Sequence, residues 1–188
     1  MACPARSLSL RVTEMEVIAV TVQIAIGLIF LQSSLAKTLR WHEFKGIVHA
    51  YELLPNWAAA VAAGGVLVVE LFTGVALVAG WTPVAALVAA GLLAIFAAAM
   101  AVNILRGRTS LDCGCFQSAK QPLEWRLVVR NLVCAGVAIT ASELSLDLAD
   151  PLRWMHALPA GVALFAIYIA LNAVWALDAS RVAAFTRS

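Results

Sequence analysis

Between Glu70 and Arg106 the chain carries no charged residue. That stretch constrains the fold more than any motif does. A helix crosses the hydrocarbon core of a bilayer in roughly 20 mostly apolar residues, at about 1.5 Å each. The uncharged stretch is long enough for two crossings, with Gly80-Trp81-Thr82-Pro83 as the break between them. Composition agrees: 63% of the 188 residues are hydrophobic and 13% are charged, against about 25% charged in a typical soluble domain. Lipid offers backbone groups no hydrogen-bond partners, so the crossings should be helical. The expectation is an all-α integral membrane bundle, a four-helix core plus a fifth transmembrane helix, forming one domain. The net charge of +2 and the absence of a basic stripe argue against nucleic acid as a partner.

The expected spans are 16–36, 57–80, 83–105, 122–141 and 159–177, with residues 1–15 and 178–188 as tails. The first is read as retained: Glu14 and Glu16 interrupt the basic start, the apolar run is long, and no small-residue cleavage site follows. Pro122 suits the first turn of its helix, with Glu124 near the N-terminus, and Pro159 is expected to open the last span. Gly64, Gly65 and Gly74 would admit neighbouring helices closely. Gln32, Ser33 and Ser34 could supply hydrogen bonds between helices.

The connection after the first span is more than a linker. Trp41, Phe44, Val48 and Tyr51 recur at steps of three and four, while Arg40, Glu43, Lys45 and Glu52 fall largely elsewhere. This predicts an amphipathic helix over 38–54 at the membrane surface, stopped by Pro55. With five spans, it lies on the same side as the connection at 106–121.

That second connection holds Cys113 and Cys115, one glycine apart. A disulfide across a single residue closes a strained ring, and strained, exposed disulfides are the labile ones. Exchange proceeds through a thiolate, which Arg106, Arg108 and Lys120 favour and Asp112 opposes. Three chemistries are compatible with the pair: redox exchange, a structural or inert pair, and half of a metal site completed by His42 and His49. Cys134, deep in the fourth span, reads as a small hydrophobe.

Two charged positions lie inside the bilayer. Glu70 is midway along the second span, and Arg130 is followed by Asn131 in the fourth. Ionisable residues at such depth are paired or functional. The economical arrangement is a Glu70–Arg130 ion pair holding the bundle together, and the functional alternative is a proton or quinone site beside the thiols.

The sequence resembles the MauE family of methylamine utilisation membrane proteins, within the wider DoxX-like group. The matching residues are Ala36-Lys37, Tyr51-x-Leu53-Leu54-Pro55, Glu70 with Gly74, Asp112-Cys113-Gly114-Cys115-Phe116, and Arg130-Asn131. They cover roughly residues 30–140 in the family's order. Gln117 departs from the pattern, where relatives often have Gly.

The resemblance implies a role in processing, transport or maturation of the small subunit of methylamine dehydrogenase, an exported and disulfide-rich protein. It also implies a thioredoxin-like partner of the MauD type. Cys113 and Cys115 become the exchange pair, supported by Glu70, Arg130, Asn131, Lys37 and Asp112. A non-redox assembly or export factor is the alternative, and a small transporter a more distant one.

Placement in a bacterial inner membrane with a periplasmic thiol loop suits such a client. The charge distribution points the other way. Lys37, Arg40, Lys45, Arg106, Arg108, Lys120, Arg126, Arg181 and Arg187 lie on the thiol side, against Arg6, Arg11 and Arg153. The positive-inside rule would place that side in the cytoplasm.

Overall fold

The computed structural model describes the backbone of residues 4–81, 83–112, 122–144 and 151–185, and the side chains of 14–81, 83–112, 122–143 and 155–175. Six helices follow in order: α1 Pro4–Leu39, α2 Trp41–Ala50, α3 Asn56–Val78, α4 Val84–Leu105, α5 Trp125–Leu144 and α6 Pro151–Phe185. No strand is present among the described residues, and the all-α membrane bundle expected from the sequence is what the chain forms. Segments within α1, α3, α4 and α6 are long and apolar enough to cross a membrane. The chain is therefore a multi-pass membrane protein. The outer faces agree: Val61, Phe72, Leu87, Ile95, Val133, Ile167 and Val174 are exposed, a surface suited to lipid and not to water.

α5 is the most polar of the long helices, carrying Arg126, Arg130, Asn131 and Glu143. It packs chiefly on α4 and also on α1. The α4–α5 seam is built of small residues, with Ala86, Ala89 and Ala90 buried in the same cluster as Ala135 and Ala138. Lipid provides no hydrophobic drive between helices, so association depends on such close packing. Elsewhere α1 is the hub, contacting α3, α5 and α6. Gln23 of α1 donates from Nε2 to the carbonyl of Ala141 in α5 at 3.2 Å.

Helix ends follow from local chemistry. α3 and α4 both stop on a glycine with positive φ, Gly80 at 81° and Gly107 at 74°. In each case the next residue reaches back five positions: Trp81 N–H donates to Ala76 at 2.8 Å, and Arg108 N–H to Asn103 at 2.9 Å. This is the Schellman closure, and a side chain at either glycine would strain it.

Several details differ from expectation. Pro159 does not open the last span: α6 begins at Pro151 and runs through it. Pro159 forfeits one hydrogen bond to the preceding turn, and the surrounding apolar run holds the helix regardless. Pro122 lies before α5, not in its first turn, because it pairs with Asp112 in an isolated antiparallel bridge. α2 stops at Ala50, short of Pro55. Gly64 and Gly65 are not sites of close helix approach: among the described residues a Cβ on Gly64 would meet only Trp41 of α2, at an ordinary 3.9 Å, and one on Gly65 nothing within 4 Å. Gly74 is such a site, against Gly27 and Leu31 of α1. Ser34 bonds within its own helix, to Leu31 at 2.9 Å.

Candidate functional site

Four elements converge on one ammonium group. Lys37 ends α1, and its side chain is only 2% exposed. A lysine near a helix end ordinarily extends to water. Here Nζ turns inward, donates to Oε1 of Glu70 from α3, and lies 5.0 Å from the ring centres of both Phe44 in α2 and Phe96 in α4. Glu70 is 1% exposed. The carboxylate neutralises the charge, and the two rings add cation–π attraction in a water-poor setting. The expected intramembrane ion pair thus exists with a different cation. Arg130 instead donates to Oδ1 of Asn172 in α6, with its guanidinium 5.9 Å from the Tyr168 ring centre. Asn172 in turn donates to the Tyr168 carbonyl at 2.7 Å.

The Lys37–Glu70 pair stands between two cavities. Lys37 lines the larger, about 230 Å³, together with Phe44 of α2, Tyr51 just after it, Ala62 and Val66 of α3, and Phe96, Ala99 and Met100 of α4. Leu53, Leu54 and Ile95 form its rim and are exposed. Glu70 lines the smaller, about 30 Å³, with Ser33, Arg130, Asn131 and Tyr168. That volume admits a water molecule, and Ser33, Glu70, Arg130 and Asn131 supply polar groups in a lining otherwise made by Ile29, Phe30, Leu93 and Phe96. Asn131 is 3% exposed, and among the described residues its Nδ2 has no hydrogen-bond partner. Glu70, Arg130 and Asn131 therefore line one small cavity, but the expected Glu70–Arg130 ion pair does not form: Glu70 pairs with Lys37 and Arg130 with Asn172.

The amphipathic helix forms over Trp41–Ala50, shorter than the expected 38–54. Phe44 and Tyr51 of its apolar face are buried, while Arg40, Glu43 and Glu52 are exposed. Its end is clasped to the second connection. Tyr51 Oη donates to the carbonyl of Asp112 at 3.3 Å. Arg108 Nη2 pairs with Oε1 of Glu52 at 2.6 Å, and Arg106 reaches the Glu52 carbonyl at 3.5 Å. A stem joins the two ends of the connection: Leu123 N–H donates to Thr109 at 2.9 Å, and Asp112 bridges to Pro122. Cys113 and Cys115 follow that stem directly and lie outside the described residues. Arg108, expected to favour a thiolate, has Glu52 as its counterion. Cys134 is a free thiol packed at the edge of the apolar core. Among the described residues no three His, Cys, Asp or Glu side chains gather as a metal site, and His42 and His49 are exposed.

Arg108 holds the Glu52 carboxyl below its ordinary value, first by hydrogen bonding and then by charge. A depressed carboxylate stabilises above its unfolded value, near 4.5, and that contribution fades as pH falls through the folded value. Acidification should therefore loosen the clasp, read as lower amide protection factors at 106–112 once exchange is referred to the intrinsic rate at each pH. The effect should be small, since both partners are partly solvated, and Arg108→Ala should abolish its pH dependence.

Part of this site had a sequence signal. Gln23, Gly27, Phe30, Ser34 and Lys37 recur at steps of four and three and are all buried. Polar residues on that stripe mark the inward face of α1 and hence the direction of Lys37. Asn172, Tyr168 and the Phe44–Phe96 pair had no such signal.

Comparison with known proteins matches this architecture to a family. Residues 15–142 match the family described as methylamine utilisation protein MauE. The chain is 40% identical over 168 residues to the methylamine utilization protein MauE of Paracoccus denitrificans, covering 86% of this chain and 89% of that one. It is 34% identical to the protein of that name from Paracoccus versutus, over 82% and 85% of the two chains. For the Methylorubrum extorquens protein of the same name, identity is 39% over 69% of each. No solved structure matches. With the match extending from the start of the first span to the end of α5, the chain belongs to the MauE family of methylamine utilisation proteins.

Proposed function

We propose that this protein serves methylamine utilisation as an inner-membrane accessory to maturation of the methylamine dehydrogenase small subunit. In this reading Cys113 and Cys115 exchange thiols for disulfides with a thioredoxin-like partner of the MauD type. The exchange balances internally: a disulfide on one protein becomes a dithiol as a dithiol on the other becomes a disulfide. The observation that carries the reading is the stem. Thr109, Asp112, Pro122 and Leu123 join the two ends of the segment that carries Cys113 and Cys115, and Tyr51 clasps that stem to the end of α2. A short strained disulfide suits exchange when its base is fixed and its sulfurs are accessible.

The exported client favours a periplasmic place for Cys113 and Cys115. The burial and pairing of Lys37 remove one cation from those that face solvent on that side.

The Cys113→Ser/Cys115→Ser variant should insert and fold normally while small-subunit maturation is lost, read as disulfide content of the subunit and amine dehydrogenase activity in the periplasm. Normal maturation in that variant would overturn the redox reading in favour of a non-redox assembly factor. A membrane-impermeant maleimide applied to intact, reduced cells should label these thiols. Labelling confined to permeabilised cells would overturn the periplasmic placement.

A further inference from the structure

We propose that the small cavity beside Glu70 holds a resident water molecule, which joins Glu70 to Asn131 and links two polar clusters into one network. The cavity measures about 30 Å³, close to the share of a single molecule in liquid water. Asn131 lines it and is 3% exposed. Among the described residues its Nδ2 has no hydrogen-bond partner. Buried polar groups left without any partner are rare in folded proteins, and an ordered water is the usual remedy where no protein group reaches. A wholly apolar cavity of this size would stay dry, but this one has polar groups on its walls.

The lining selects the occupant. The Asn131 amide calls for an acceptor. Glu70 offers acceptors of its own, since a carboxylate has about four lone-pair sites and Lys37 takes only part of that capacity. The Ser33 hydroxyl can donate or accept. The bound species must therefore accept from an amide, donate to a carboxylate and be very small. Water meets all three conditions. A cation would face the Arg130 guanidinium and the amide N–H, and an anion would face the Glu70 carboxylate.

Such a water spans the bundle. On one side Lys37 of α1 donates to Glu70 of α3. On the other, Arg130 of α5 donates to Asn172 of α6. Asn131 adjoins Arg130 on α5, so a Glu70–water–Asn131 bridge makes the two clusters continuous across four helices. α6 packs chiefly on α1, and this network is its polar tie to α5. The site involves no thiol chemistry and stands independently of the exchange reading above.

The test is a density map of the full-length protein in lipid nanodiscs, at a resolution that shows ordered water. A peak should stand about 2.7–3.2 Å from the Asn131 amide. Its height should stay the same when sodium chloride is exchanged for potassium gluconate. Thermal unfolding in detergent gives a second measurement. Ser33→Val removes a hydroxyl, fills the space with a methyl group and expels the water. The midpoint should fall by about 2–4 °C, because the buried amide is left stranded. Ser33→Val/Asn131→Leu should recover most of that loss, because no amide then remains to be satisfied.

An empty cavity in a map that resolves other buried waters would overturn the site. So would a peak that follows the salt, which marks an ion. A Ser33→Val protein that melts at or above the wild-type midpoint marks a dry void and overturns the proposal as well. A double variant no more stable than Ser33→Val assigns the loss to crowding and removes the bridging role of Asn131. The map is made on the unaltered chain, so it decides the site even where a variant fails to fold.

Discussion

Glu70→Ala should destabilise the bundle by about 3–5 kcal/mol, the range for removing one partner of a buried ion pair. The replacement leaves the Lys37 ammonium 2% exposed, between two rings and without its carboxylate. Thermal unfolding in detergent, followed by helical circular dichroism, should show the loss. Lys37→Met/Glu70→Leu should recover most of it, since an apolar pair of similar volume removes both charges together. Recovery in that double variant separates a charge effect from a packing effect. If Glu70→Ala unfolds with the wild-type profile, the pair contributes nothing to stability.

Gly74→Ala should cost about 1–3 kcal/mol through overpacking. A Cβ at this position would stand 2.9 Å from Cγ of Leu31 and 3.0 Å from the carbonyl oxygen of Gly27. On the facing helix, a Cβ at Gly27 would meet Val78 at 2.8 Å and the Gly74 carbonyl at 3.1 Å. Backbone lies against backbone, so neither helix can yield by a rotamer change alone. Gly65→Ala and Gly91→Ala are the controls, because a Cβ there meets nothing within 4 Å. Both should be neutral or slightly stabilising, because Ala is the better helix former. Equal losses at all three positions would refute close α1–α3 packing as the cause.

These contrasts show what was legible in the sequence. Uncharged runs located the membrane helices, since lipid allows few alternatives. The three- and four-residue recurrence of Trp41, Phe44, Val48 and Tyr51 located α2. Facing directions were harder. Gly64, Gly65 and Gly74 look alike in sequence, but only Gly74 lies on the face that meets α1. The choice of Arg130 as the partner of Glu70 failed for a related reason. Lys37 sits at a helix end, where a lysine usually reaches water, and only the tertiary arrangement of Phe44 and Phe96 gives it reason to turn inward. The clasp at the start of the thiol segment depends on Tyr51 and Asp112, 61 positions apart, and no local pattern signals such a pairing. Pro159 misled because proline starts helices more often than it interrupts them, and the apolar run around it has the length to continue.

The ion pairs have a consequence for how a partner meets this protein. Lys37–Glu70, Arg40–Glu43, Arg108–Glu52 and Arg126–Glu124 all form around the α2 end of the bundle. Lys45 and Arg106 lie at that end too, as does Asp112. Among the described residues, cations and carboxylates there nearly cancel. That end therefore projects a patchwork of alternating sign, with little field beyond a Debye length. A docking protein would be guided by shape and short contacts, and its association rate should change little between low and physiological salt.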